Sequence, residues 1–295
     1  MRSFLVVLII LSTGQFARAV EKRNVLFIMS DDLTYTALSC YGNTVCQTPN
    51  IDRIASRGVR FTRAYCQGTY CGPSRASLMS GYYPHATGVL GYTNPRPQIG
   101  DRQTWSQLFK DNGYYAARVS KIFHMGVPGG IEAGTDGADD PVSWTERFNS
   151  QGPEWRAPGK GETLEGNPDG KKPVVGGNTF VVVEADGDDL VHSDGKTAAK
   201  ACELIAQHKG EPFFLGVGFV RPHVPFVAPA DYYAPFPHGQ MALPEKVAGD
   251  WGDIPKPGIN YKTSKNMQMD EGRQRKAVAG YYASVAYMDA QVGKV

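Results

Sequence analysis

The chain has almost no excess of either charge, and it contains no long basic block. Its 295 residues include 31 lysines and arginines against 29 aspartates and glutamates, which leaves a formal charge of +2. Proteins that hold nucleic acid through its phosphates usually carry a basic patch or stripe. We therefore expect no nucleic acid partner, and any affinity for an anionic substrate must come from a local pocket.

Apolar runs of membrane length are also missing. The apolar stretch at residues 4–11 is short, and it lies between Arg2 and the small-residue site at residues 17–19. This arrangement is typical of a secretory signal peptide. We predict a signal peptide over residues 1–19 and a mature chain from about Val20, secreted or periplasmic, with no membrane contact after cleavage. An uncleaved membrane anchor is the alternative.

Cysteine is scarce and odd in number, with residues Cys40, Cys46, Cys66, Cys71 and Cys202. An odd count in an exported protein indicates a free or modified thiol. Cys40 and Cys46 are near enough in sequence to pair, but the sequence alone does not fix disulfide connectivity. Paired and unpaired states of these two residues therefore both stay open.

The composition is that of a folded protein, with 41% hydrophobic and 20% charged residues. Short apolar runs alternate with segments of helical period, which predicts an α/β fold with a mainly parallel sheet and helices on both faces. No linker is evident, so residues 20–295 form one predicted domain. The predicted strands are 24–29, 59–65, 114–119 and 212–219, the predicted helices are 49–58, 71–81, 104–112, 194–208 and 273–292, and residues 126–177 and 222–237 are predicted to be irregular.

The segment 71–81 combines a reactive side chain with a helix start. Pro73 fits the first turn of a helix and Gly81 can end it, so Cys71 lies at the helix N-terminus. Unpaired N–H groups at such a position favour an anion, and Arg75, one turn further on, can pair with the same anion. The pattern indicates chemistry on a charged oxyanion ester. A buried or disulfide-bonded cysteine is the alternative.

Polar residues follow three of the predicted strands. Asp31 and Asp32 come after the first strand, and adjacent carboxylates suit Ca²⁺ or Mg²⁺, although a solvated turn has the same pattern. Lys121 and His124 follow the third strand, and His223 follows the fourth between two prolines. Ligands collect at the carboxyl ends of strands in open α/β sheets, so we expect the site there.

Several of these motifs match one protein family. The run Cys-Gly-Pro-Ser-Arg-Ala-Ser-Leu-Met-Ser-Gly at residues 71–81 resembles the sulfatase signature. Residues 24–33 resemble the family's opening strand, and residues 48–61 resemble the stretch that precedes its cysteine. Lys-Ile-Phe-His at 121–124 and Arg-Pro-His-Val-Pro-Phe at 221–226 resemble motifs of the iduronate-2-sulfatase branch of that family.

The resemblance implies a modified nucleophile and a metal. A formylglycine-generating enzyme would oxidise Cys71 to formylglycine, an aldehyde whose hydrate attacks the sulfate ester. Asp31 and Asp32, together with the modified residue 71, would bind Ca²⁺ or Mg²⁺.

The resemblance also implies roles for the cationic and imidazole side chains. Arg75 and Lys121 would stabilise the sulfuryl oxygens, His223 would protonate the leaving sugar oxygen, and His124 would deprotonate the second hydroxyl of the hydrate. His85 would have a supporting role at most. The implied substrate is a sulfated polysaccharide or oligosaccharide, with a 2-O-sulfated uronic acid expected and algal glycans as an alternative.

The chain also departs from the family's pattern. The resemblance runs colinearly from about residue 24 to residue 295, but the later strand that ends in Asp-His-Gly or Asp-Asn-Gly does not occur. We therefore expect an incomplete sheet at the C-terminus and a weakened cation site. The alternatives are a truncated inactive remnant, a fragment that only binds sulfated glycans, and a phosphatase or phosphonate hydrolase of the same superfamily.

Overall fold

A computed structural model describes residues 22–166, 179–259 and 267–295. The predicted signal peptide lies outside these residues, as do residues 167–177 of the segment predicted to be irregular. Within the described part of the chain, no helix combines the length and the apolar character that crossing a membrane requires.

Seven strands among the described residues form two sheets. In chain order they are β1 (Val25–Asp31), β2 (Tyr115–Ser120), β3 (Glu146–Phe148), β4 (Gly159–Thr163), β5 (Val181–Ala185), β6 (Phe213–Pro222) and β7 (Phe226–Pro229). The main sheet has the order β1-β6-β2-β3, and all its pairs are parallel. The second sheet has the order β4-β5-β7, with β5 antiparallel to β4 and parallel to β7.

The local sequence explains several helix ends. In chain order the helices are α1 (Pro49–Arg57), α2 (Cys71–Ser80), α3 (Pro84–Thr87), α4 (Arg96–Ile99), α5 (Trp105–Asp111), α6 (Gly129–Ala133), α7 (Ser193–His208) and α8 (Glu271–Lys294). The residue after α2, Gly81, has the left-handed φ of 75° that glycine tolerates best. Thr104 caps α5 by accepting from the backbone of Gln107, and Asp270 caps α8 by accepting from the backbone of Arg273.

The central strand β6 contributes side chains to apolar layers on both faces of the main sheet. Phe213, Leu215 and Val217 pack into the cluster that includes the buried faces of α7 and α8. Phe214 packs into the other cluster, with Trp105 of α5. This period of two is expected of a strand covered on both faces. The predicted α/β fold, a mainly parallel sheet with helices on both faces, is confirmed.

Three predictions for connecting segments are wrong. Residues 59–65 form no strand, and Val59 and Phe61 are 80% and 70% exposed. Residues 126–166 contain α6, β3 and β4, and residues 222–237 contain β7. Because β3 and β7 have only three and four residues, their pairing depends on distant partners and leaves little pattern in the sequence.

The five cysteines all lie in described residues, and all are free. Of the two alternatives for Cys40 and Cys46, the structure therefore has the unpaired one.

Candidate active site

The carboxyl ends of three neighbouring strands meet at one end of the main sheet. Asp31 is the last residue of β1, Lys121 directly follows β2, and His223 directly follows β6. Cys71 is the first residue of α2. Because β6 pairs with both β1 and β2, the fold brings these four residues together.

Asp31 lies at the centre of this group. One carboxylate oxygen accepts a hydrogen bond of 2.8 Å from Arg75 Nη2, and the other is in direct contact with Lys121 Nζ. All three side chains are buried. Burial acts to raise the pKa of Asp31, but the charges of Arg75 and Lys121 outweigh it and hold this pKa well below its usual range. Asp31 is therefore ionised at neutral pH.

The guanidinium of Arg75 ties α2 to two strands of the sheet. Its Nη1 donates to the carbonyl oxygens of Lys121 and Ile122 at 2.5 and 2.8 Å, while Nη2 binds Asp31. Nη1 also lies 2.9 Å from Met29 Sδ in β1. These partners use the planar fork of the guanidinium, which a lysine could not reproduce.

The thiol of Cys71 lies beside the buried carboxylate, with Sγ 3.6 Å from Asp31 Oδ1. Burial and then the charge of Asp31 raise the pKa of this thiol, and the opposing charges of Lys121 and Arg75 do not compensate. The start of α2 therefore holds a thiol and not a thiolate. Since the thiolate is the nucleophilic form, the geometry disfavours an unmodified cysteine as the nucleophile.

Asp32 has different surroundings from Asp31. It adopts a left-handed backbone conformation with φ 60°, and its side chain is 57% exposed. One carboxylate oxygen lies 3.5 Å from His223 Nε2. The carbonyl oxygen of Asp32 accepts a hydrogen bond of 2.7 Å from Tyr281 of α8, whose hydroxyl accepts from the backbone of Thr34 at 2.8 Å.

His223 is buried next to the two aspartates. Its Nδ1 contacts the carbonyl oxygen of Val224, so Nδ1 carries the donated proton and Nε2 keeps its lone pair. Burial and then Lys121 lower the pKa of His223, although Asp31 and Asp32 act to raise it. The ring is therefore neutral at neutral pH when no ligand is bound.

His124 stacks on the ring of Tyr92, with centroids 4.1 Å apart and planes inclined by 18°. Burial and then the charges of Lys121 and Arg75 lower the pKa of His124 to about 4. Its Nδ1 is buried and has no hydrogen-bond partner among the residues that the structure describes. His124 is therefore a neutral ring with one uncommitted nitrogen.

A cleft of about 490 Å³ opens onto the group. Its walls are the end of β1 with Asp32 and Leu33 on one side, and residues near the start of α2, among them Thr69, Tyr70 and Ser74, on the other. Its size is within the range of sites for small molecules. Asp31 and Cys71 both line this cleft.

The geometry offers donor atoms for a divalent cation. One donor atom each from Asp31, Cys71 and His223 lies within 4.8 Å of the others. Of these three donors, the Asp31 carboxylate is the kind that Ca²⁺ and Mg²⁺ prefer, and its Oδ2 contacts the Lys121 ammonium. The exposed carboxylate of Asp32 is the second oxygen ligand that such an ion would need. The sequence predicts Asp31, Asp32 and residue 71 as the metal ligands. The cluster in the structure contains Asp31, Cys71 and His223.

Some residues of the site carry no signal in the sequence. Tyr92 has no motif around it, and Tyr281 is predicted only to lie within the helix 273–292. Both contact site residues because of long-range packing. His85, for which the resemblance implies a supporting role at most, stacks on the ring of Tyr83.

Comparison with known proteins is consistent with the geometry. The family model described as Sulfatase matches residues 23–295. Iduronate 2-sulfatase of Mus musculus is 33% identical over 302 residues, covering 96% of this chain and 52% of that protein. A protein of Formosa agariphila named Sulfatase is 30% identical, covering 95% of this chain and 56% of that protein. The chain thus spans about half the length of the curated relatives it matches.

Solved structures share the fold at lower identity. The phosphonate monoester hydrolase from Silicibacter pomeroyi has a TM-score of 0.65 and 19% identity, covering 92% of this chain and 58% of that one. Identity at this level shows the fold alone. The family model covers nearly the whole chain, and the mouse relative matches it at 33% identity. The chain therefore belongs to the sulfatase family.

Proposed function

We propose that this chain is the catalytic part of a secreted or periplasmic sulfuric ester hydrolase that removes sulfate from a sulfated sugar. One observation carries the proposal: a buried carboxylate, Asp31, contacts two cations and lies beside Cys71 at the start of a helix. Such a group of charges is suited to an anionic ester whose oxygens gain charge during the reaction.

The nucleophile is derived from Cys71. Oxidation by a formylglycine-generating enzyme converts this cysteine to formylglycine, and the hydrated aldehyde supplies the attacking hydroxyl. The raised pKa of the unmodified thiol supports this assignment, because a protonated thiol is a poor nucleophile.

The charges of the site bind the sulfate group. Arg75 and Lys121 hold the sulfuryl oxygens while they stay in contact with Asp31. Asp31 and Asp32, together with residue 71, would hold a Ca²⁺ or Mg²⁺ ion, while Nε2 of His223 stays free for proton transfer. When bound, such an ion would supply further positive charge for the sulfuryl oxygens.

Two histidines move the protons. After the sulfate has been transferred to residue 71, His124, whose pKa of about 4 keeps it neutral, accepts the proton of the second hydroxyl of the hydrate. The C–O bond to sulfate then breaks, so that sulfate leaves and the aldehyde is restored. His223 donates a proton to the departing sugar oxygen, which requires the imidazolium form. An anionic sulfate ester next to the ring favours that form and so opposes the lowering of the pKa by burial.

The proposed substrate is a 2-O-sulfated uronic acid within an anionic polysaccharide. The support is the pair of motifs at residues 121–124 and 221–226, together with the similarity to mouse iduronate 2-sulfatase. Release of sulfate from sulfated galactans alone, in a panel of sulfated oligosaccharides, would overturn the uronate assignment.

Mass spectrometry of residue 71 tests the mechanism directly. The chain is co-expressed with a formylglycine-generating enzyme and digested with trypsin, which releases residues 64–75 as one peptide. This peptide also contains Cys66, five positions upstream, which should stay a thiol and serves as an internal control. We expect the aldehyde at residue 71 only, and a thiol at both positions would contradict the proposal.

Turnover of an aryl sulfate and an aryl phosphate then separates the reaction classes. We expect sulfate release from the converted protein and none from Cys71→Ala. Faster release of phosphate than of sulfate would instead favour a phosphatase or phosphonate hydrolase.

A further inference from the structure

The arginine that precedes Pro222 and His223 is buried, with an exposed fraction of 2%. We propose that Arg221 is a positioning residue that fixes the ring of His223 through the backbone carbonyls on either side of Val224. This inference rests on the proposed function for the role of His223, but the contacts that carry it are independent of any activity.

The guanidinium of Arg221 spans the turn after β6. Its Nη1 donates to the carbonyl oxygen of His223 at 2.8 Å and also contacts the carbonyl oxygen of Pro225. These two carbonyls flank Val224, whose own carbonyl oxygen contacts Nδ1 of His223. The arginine therefore fixes the peptide units on both sides of the acceptor that holds the imidazole.

Arg221 is itself anchored by two buried carboxylates. Its Nη2 contacts Glu154, which is 1% exposed. The carboxylate of Asp194 accepts from the backbone N–H groups of Val220 and Arg221 at 2.8 and 2.9 Å. If the guanidinium moved away, the buried carboxylate of Glu154 would lose its opposite charge, which is energetically costly. The guanidinium therefore has few alternative positions.

The anchored turn selects one tautomer of His223. Because Nδ1 donates to the Val224 carbonyl, Nε2 remains unprotonated and lies 3.5 Å from a carboxylate oxygen of Asp32. If the carbonyl turned away, nothing in this turn would hold the proton on Nδ1. The ring could then rotate, or carry its proton on Nε2 instead. A small displacement of a proton-transfer group can lower the rate by about 10²-fold.

Arg221→Lys tests the proposal, because a single ammonium next to Glu154 keeps the charge but lacks the second nitrogen that binds the two carbonyls at the same time. Arg118→Lys is the matched control: Arg118 is also a buried arginine on the main sheet, and it pairs with Asp139 and Asp136. Glu154→Gln is a second variant that keeps the side-chain shape and removes the anchoring charge.

The first readout is the ¹⁵N spectrum of histidine-labelled protein at one fixed pH, with the His223 signals assigned from His223→Gln. We expect the Nδ1–H tautomer in the unmodified chain and in Arg118→Lys. We expect a mixture of tautomers in Arg221→Lys and a smaller change in Glu154→Gln. Near-ultraviolet circular dichroism checks that each variant is folded.

The second readout is steady-state sulfate release by the aldehyde form. We expect Arg221→Lys to lower kcat by roughly 10–100-fold with KM nearly unchanged, because the ring is displaced and the sulfate-binding cations remain. An unchanged His223 tautomer in folded Arg221→Lys overturns the positioning role, whatever the rate. A changed tautomer in a protein that never releases sulfate supports the positioning role and contradicts the proposed function alone.

Discussion

The hydroxyl of Tyr281 donates a hydrogen bond of 2.7 Å to the carbonyl oxygen of Asp32, a residue 249 positions earlier in the chain. The same hydroxyl accepts from the backbone N–H of Thr34. A single phenol on α8 thus holds both sides of the turn that follows β1. Since Asp32 has a left-handed backbone, this turn is a conformation that the local sequence alone would not strongly favour.

Replacing Tyr281 with Phe should loosen this turn without creating a cavity. We expect the free energy of unfolding to fall by about 1–2 kcal/mol, because two backbone groups lose their partner. Cation affinity should fall as well, which calorimetric titration with Ca²⁺ measures. Tyr282→Phe is the control, since the neighbouring hydroxyl binds the side chain of Asn43 and not the turn. Equal Ca²⁺ affinity in both variants would show that the turn needs no such support.

Addition of Ca²⁺ or Mg²⁺ should raise the melting temperature of the chain. At a concentration 100-fold above Kd, binding stabilises the folded state by about 2.7 kcal/mol. Asp32→Asn should remove most of this rise and change the metal-free melting temperature little, because Asp32 is half exposed. Asp250→Asn, at an exposed position, should keep the full rise. An undiminished rise in Asp32→Asn would assign the ion to other residues.

Arg75→Lys should lower the rate of sulfate release by about 10²–10³-fold, because an electrostatic contact to the reacting group loses its geometry. Lysine cannot contact Asp31 and the carbonyl oxygens of Lys121 and Ile122 together. The aldehyde content of residue 71 must be measured on the same sample, because Arg75 lies in the same run of residues 71–81 as Cys71, and a loss of conversion would also lower the rate. Normal aldehyde with normal turnover would remove Arg75 from the site.

His124 should titrate with a midpoint near pH 4, which a histidine NMR titration measures. Because the folded pKa is below the unfolded value of about 6.5, the unfolded chain binds the proton first. Stability should therefore fall as the pH drops from about 6.5 towards 4.

Lys121→Met should shift that midpoint upward, because the ammonium is the second largest cause of the lowered pKa of His124. Lys200→Met is the control, because this lysine pairs with Glu203 on the surface of α7. A midpoint that stays near pH 4 in Lys121→Met would mean that the Lys121 ammonium does not contribute to the lowered pKa of His124.

The sequence predicts those parts of the molecule whose signal is local. The strands β2 and β6 are buried almost throughout and β1 is half-buried, and a continuous apolar pattern predicts such strands. The polar residues that follow these strands lie close together, because the carboxyl ends of parallel strands are at the same edge of the sheet. Asp31, Cys71 and His223 therefore come together at the place that the pattern indicates.

The parts of the fold and of the site that the sequence does not predict depend on contacts between residues far apart in the chain. The strand β3 reads Glu-Arg-Phe and joins the main sheet only because β2 is available to pair with it. Residues 59–65 have a strand-like composition but pair with no strand among the described residues. Glu154 has no motif at all, and its contact with Arg221 is known only once the fold is known.

The pairing of β1, the strand that ends in Asp31, affects how long the site stays assembled. Among the described residues, β1 pairs with β6 alone, and the register shifts between Ser30 and Asp31, where Asp31 lies opposite Pro222. The hydroxyl of Ser30 bridges this irregularity by donating to the carbonyl oxygen of Arg221 at 2.7 Å. The backbone of β1 is therefore held in the sheet by one ladder of hydrogen bonds, in addition to the side-chain contacts of Asp31. Amide hydrogen exchange along β1 should be faster than along β6, and its rate measures how often the charge cluster comes apart.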